Sequence, residues 1–102
     1  MSVPIRETIY QDTDIEVLCD YLFGGTKISL HLNFNEGAWT PSKFKRYKQI
    51  FQGMLANFRD KRYTEVYATP FENDVKAQKL IALFGFKEFD RQQGLVLMKR
   101  EV

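Results

Sequence analysis

Between Val66 and Arg100 the sequence sets out a strand, a helix and a hairpin, each ended by a residue with few conformational choices. Val66-Tyr67-Ala68-Thr69 reads as the end of a buried strand, and Pro70, with no N–H to give to a ladder, stops it. Glu72-Asn73-Asp74 then offers side chains that can accept from the free N–H groups of a helix start. Ala77, Leu80, Ile81 and Phe84 fall at i, i+3, i+4 and i+7, so the spacing predicts a helix that runs to Phe84 with one apolar face. Gly85 can take the left-handed conformation that closes such a helix, and Phe86 is placed to fold back onto Ile81. Lys87 to Phe89 and Leu95 to Arg100 read as two short strands joined by a polar turn ending at Gly94.

The first part of the chain alternates with a period of two. Val3, Ile5 and Ile9 alternate with polar neighbours up to the turn Gln11-Asp12-Thr13-Asp14. Ile15, Val17, Cys19 and Tyr21 form one face of a second strand, and Gly24-Gly25 makes the next turn. Ile28, Leu30, Leu32 and Phe34 form the dry face of a third strand whose other face holds Ser29, His31, Asn33 and Asn35. After the loop Asn35 to Trp39, Thr40 can cap a long helix and Pro41 suits its first position. Phe44, Tyr47, Phe51, Met54, Leu55 and Phe58 mark its buried stripe, with Ile50 beside it. A strand, a long helix and another strand in succession imply a right-handed crossover and a parallel pair, with antiparallel neighbours on either side.

A chain of 102 residues has room for one domain, 1–102, with a single sheet and two helices. Its hydrophobic fraction of 44% provides a packed core and argues against disorder. No apolar run approaches the roughly 20 residues that span a bilayer, and the N-terminus has no signal-peptide core, so the expected location is cytoplasmic. The single cysteine, Cys19, sits in a strand pattern where a buried, inert thiol is expected. One His and one Cys on different strands make no metal-ligand set. Charge is uneven: residues 1–36 hold two cations and six anions, residues 37–62 seven and one. This basic middle segment would attract an anionic ligand, and a solvated helix face beside an acidic hairpin accounts for it equally. Its aromatics fall on the core stripe of the helix, which speaks against stacking on nucleic-acid bases.

A strand leading to a turn with Asn73, then a helix with Ala77 and Leu80, then Gly85-Phe86 and a hairpin ending in Leu97-Met98-Lys99-Arg100, resembles the second half of the GCN5-related N-acetyltransferase fold. The resemblance implies a minimal α/β (α+β) acetyltransferase-like fold, a mixed and mostly antiparallel sheet in the order β-β-β-α-β-α-β-β. It lacks the family's usual first strand and the two helices that follow. It also implies acetyl-CoA bound where the parallel strands part, near Asn35 and Thr69, with Phe34, Asn35, Thr40, Ser42, Lys43 and Asn73 as the cofactor-binding candidates. The family's pyrophosphate loop, Arg/Gln-x-x-Gly-x-Gly/Ala, is matched here only by Gly37, and Trp39 and Pro41 occupy space and remove a donor. At the position of the tyrosine that protonates the leaving thiolate in many members stands Ile81, which has no proton to give. His31 and Glu36 are the remaining candidates for a catalytic base.

Two readings follow from the resemblance. One is a catalytically degenerate domain that binds protein as an assembly or regulatory factor, encoded by a phage if it follows other short divergent members and then present in host cytoplasm or virion. The other is an acetyl-CoA-dependent N-acetyltransferase with an altered phosphate-binding loop. Without the extra helices some sheet surface is left bare, so a homodimer or another protein partner is expected near Tyr10, Tyr21, Leu22 and Phe23, with neither membrane nor nucleic acid as partner.

Overall fold

A computed structural model describes residues 5–21, 27–35 and 39–102, with Ile5 described in its backbone alone. The predicted turn at Gly24-Gly25 and the start of the first strand at Val3 lie outside the described residues. The elements follow the expected order: β1 (Ile5–Gln11), β2 (Ile15–Tyr21), β3 (Lys27–Phe34), α1 (Pro41–Asp60), β4 (Glu65–Ala68), α2 (Val75–Leu83), β5 (Lys87–Gln92) and β6 (Leu95–Glu101). They build a six-stranded sheet in the order β1-β2-β3-β4-β6-β5. β3 and β4 pair in parallel across the α1 crossover, and the other neighbours pair antiparallel.

Register decides which side of the sheet is dry. Cys19 pairs with Leu30, Leu30 with Ala68 and Ala68 with Met98, and paired residues point to the same face. All four are buried, as are Ile15, Val17, Ile28, Val66 and Val96 on the same side. Both helices cover this one face: Tyr47, Phe51, Leu55 and Phe58 of α1 and Ile81 of α2 belong to one core with these strands. The two helices meet through rings, Phe84 lying 5.3 Å from Phe44 and 5.2 Å from Phe51, and Phe86 5.7 Å from Phe51. Phe86 thus packs on α1. Burial pushes the Cys19 thiol up to about 11, which keeps it protonated and inert.

Helix ends follow the local signals with small shifts. Thr40 Oγ1 accepts from the Lys43 N–H at 3.1 Å, and Pro41 is the first helical residue. Of the three candidates Glu72-Asn73-Asp74, Asp74 caps α2 by accepting from the Ala77 N–H at 3.1 Å. Phe84 is the C-cap and not the last helical residue. Gly85 takes φ 94°, and a Cβ there would lie 2.8 Å from Arg100 Nη1. Arg100 needs that space because Nη1 donates to the Phe84 carbonyl at 2.6 Å, placing a cation at the negative end of α2. Gln93 and Gly94 both take positive φ, the turn that suits a two-residue hairpin, and β5 therefore extends to Gln92, beyond the predicted Phe89.

The expected bare surface lies elsewhere than predicted. Tyr10 and Tyr21 are half-buried against the core on the helix side, with rings on Tyr47 and Tyr63. Leu22 and Phe23 lie outside the described residues. The face that no described helix covers is the opposite one, which holds Leu18, His31, Tyr67 and Leu97.

Gly85→Ala should cost about 1–3 kcal/mol through backbone strain and displacement of Arg100. Urea unfolding at neutral pH checks this as a lower midpoint with an unchanged slope.

Candidate functional site

β3 and β4 part because they follow different partners. β4 is only four residues long, and Pro70 cannot extend its ladder toward β3. The chain beyond it is held by β6 instead: the Val96 N–H donates to the Pro70 carbonyl at 2.9 Å, and the Glu72 N–H to the Gly94 carbonyl at 2.7 Å. Gln78 Nε2 fixes the same turn to α2 by donating to the Phe71 and Glu72 carbonyls. β3 continues alongside β2 to Phe34. The gap is a cleft of about 120 Å³ lined by His31, Asn33, Thr69, Phe71, Asp74 and Ala77. A second depression of about 350 Å³ shares Asn33, Asp74 and Ala77 and reaches Phe34, Asn35 and Lys76.

At the start of α1 the acidic turn between β1 and β2 folds over the basic helix. Asp12 accepts from the Tyr47 hydroxyl at 2.6 Å, the Tyr10 hydroxyl at 2.7 Å, and the N–H groups of Asp14 and Ile15 at 2.8 and 3.1 Å. Arg46 Nη2 approaches it at 3.4 Å. Partial burial by itself would raise the Asp12 pKa, and the four donors outweigh it, so the carboxyl lies well below the usual range. Burial, and then the bond to Asp12, push the Tyr47 phenol above its ordinary value. Lys43 Nζ reaches Asp14 at 3.0 Å and lies 5.8 Å from the centre of the Trp39 ring, which itself packs on Phe34 and Tyr47. Two of the seven cations of the basic segment, Lys43 and Arg46, are thus paired with the acidic turn.

The structure divides the sequence candidates into three places. His31 lines the cleft, half-buried, and Phe34 and Asn35 line the second depression beside it. Thr40, Ser42 and Lys43 stand at the α1 start, where the Thr40 hydroxyl is engaged as a cap and Lys43 is held by Asp14. Asn73 is exposed, and its neighbour Asp74 faces the cleft. Glu36 and Gly37 lie outside the described residues. Ile81 is buried and lines the cleft floor. The residues missed by sequence reasoning are Asp12, Asp14 and Tyr47. Two aspartates in one turn opposite a basic helix start were the signal, and what pairs with what needed the fold.

Parting parallel strands with a long helix between them have clear counterparts among solved structures. The GNAT domain of S. lividans PAT superposes with a TM-score of 0.69 at 10% identity, over 87% of this chain and 54% of that one. The chain has the GCN5-related N-acetyltransferase fold. The Campylobacter jejuni N-acetyltransferase PseH gives a TM-score of 0.57 at 15% identity, covering 88% of this chain and 70% of that one. The ribosomal-protein-alanine N-acetyltransferase of Brucella melitensis gives 0.59 at 12%, covering 93% and 67%. This chain therefore spans 54% to 70% of the length of these acetyltransferase-fold neighbours, and at such identities the likeness is one of fold. No family model matches the sequence, and no curated protein does.

Within this acetyltransferase fold the Asp12 cluster makes stability depend on pH. A depressed folded-state pKa gives stability that is full above the unfolded value of 3.8 and is lost as the pH falls toward the folded value. Asp12→Asn should be less stable than wild type at neutral pH and lose less on acidification, so that the gap between the two stability curves narrows below the unfolded value of 3.8, is still open at about pH 3 and closes only near the depressed folded value. Tyr47→Phe, which removes one charged hydrogen bond, should cost roughly 1–3 kcal/mol at neutral pH. Urea titrations at a series of pH values check both.

Proposed function

We propose that this chain is a protein-binding domain on an acetyltransferase scaffold, an assembly or regulatory factor in which acyl transfer has been lost. The observation that supports this reading most is the pairing at the α1 start. By the family resemblance a coenzyme A pyrophosphate would lie there, drawn by free N–H groups and positive charge. In this chain Thr40 accepts from one of those N–H groups, and Lys43 and Arg46 are engaged by Asp14 and Asp12. A diphosphate would meet two carboxylates, of which Asp12 is held ionised by its donors. At the reacting end, Ile81 stands where the family's proton donor would be, buried and aliphatic.

The alternative is an acetyl-CoA-dependent N-acetyltransferase with an altered phosphate-binding loop. It draws on the cleft itself, which stays open between β3 and β4 with His31 along it and Phe34 and Asn35 in the depression beside it.

The melting temperature with and without millimolar acetyl-CoA, at low salt with reductant, separates the two. Ligand at 100 times its dissociation constant adds about 2.7 kcal/mol, which would raise the midpoint of a chain this size by roughly 10 °C or more. The binding-domain reading predicts an unchanged midpoint. A rise that Lys43→Ala abolishes would replace it with the enzyme reading.

A further inference from the structure

From the uncovered sheet face we infer that the chain pairs with a second copy of itself, the two open faces meeting in a sandwich. The inference deepens the protein-binding reading above and rests on it.

The face is large enough. Strands about 4.8 Å apart and about 3.3 Å per residue along each give a face of about 600 Å² across the six strands. Two copies would bury roughly 1,200 Å², at the lower edge of what stable interfaces bury. Its chemistry suits a self-association better than a polyanion. Arg6 pairs with Asp20, and Lys27 and Lys99 share Glu65 at 3.7 and 3.8 Å, so cations and carboxylates are interspersed on the face and one cation is in excess among these pairs. Lys99 lies 4.9 Å from the centre of the Phe89 ring, and Phe89 remains 49% exposed beside Tyr67. A polyanion would have to compete with Asp20 and Glu65 for these cations, whereas a second copy brings carboxylates as well as cations to the face and can extend the pairs into a network.

Register supplies the complementarity. Across the sheet, Asp20 of β2 and Lys99 of β6 sit at one level through Ser29 and Tyr67, and Leu18 and Leu97 are the next residues on the same face, on either side of the point where β3 and β4 part. A two-fold axis along the strands between β3 and β4 lays β2 of one copy over β6 of the other. Leu18 then meets Leu97, and Asp20 meets Lys99, twice over by symmetry. The strands remain nearly aligned, the usual geometry for two sheets packed face to face.

Sedimentation over a micromolar to millimolar concentration series, with the circular dichroism of each variant compared with wild type, tests this. Wild type should move from one chain to two. Leu97→Glu should remain a monomer throughout. Asp20→Lys and Lys99→Asp should each weaken association at least tenfold, and the double variant Asp20→Lys with Lys99→Asp should regain it, which no folding defect would produce. A wild type that stays monomeric overturns the inference. So does a dimer that survives Leu97→Glu, or a double variant no better than the singles. A monomer whose melting temperature ignores acetyl-CoA would overturn this pairing and leave the protein-binding reading standing.

Discussion

Asp12 joins the local structure of this chain to its chemistry. One carboxylate gathers two tyrosine hydroxyls, two backbone N–H groups and the approach of Arg46, and in doing so it pins the β1–β2 turn to α1. Half-buried carboxylates are costly unless their acceptors are filled, and here the filling comes from three separate elements. The neighbouring Asp14 does the same for Lys43. Positive charge at a helix start is mildly unfavourable on its own, so the acidic turn stabilises α1 as well as the hairpin. What stabilises the fold also offsets part of the positive charge at the start of α1.

A second constraint follows from placing both helices on one side. The rings of Phe44, Phe51, Phe84 and Phe86 bind α1 to the end of α2 over the dry face, and Arg100 secures that end from the sheet. Antiparallel strands tolerate water on one face, and it is the opposite face that no described helix covers. Two surfaces remain for function: the cleft where β3 and β4 part, and the open face. Their residues meet at His31, which belongs to both.

Much of this was legible in the sequence where one short-range rule decides. Thr40-Pro41 and Gly85 mark helix ends through their own backbone preferences, and the alternation from Ile28 to Phe34 fixes a half-buried strand. The crossover helix fixed the parallel pair, and with it the cleft. Less legible was anything set by two distant segments. Asp12 and Tyr47 are far apart in the sequence, and nothing in either segment alone says that they touch. The misplaced bare surface has the same origin: alternation shows that Tyr21 and Leu18 lie on opposite faces, and only the helices' common side tells which face is covered. Which of Glu72-Asn73-Asp74 caps α2 was likewise left open by the sequence, and the fold selects Asp74.

The central claim is that Asp14 and Asp12 hold the α1 start closed to a diphosphate. Isothermal titration of coenzyme A into wild type and into Asp14→Asn measures this directly. The account predicts no saturable heat with wild type and detectable binding once Lys43 is released from Asp14. Saturable binding to wild type, as tight as to the variant, would contradict it.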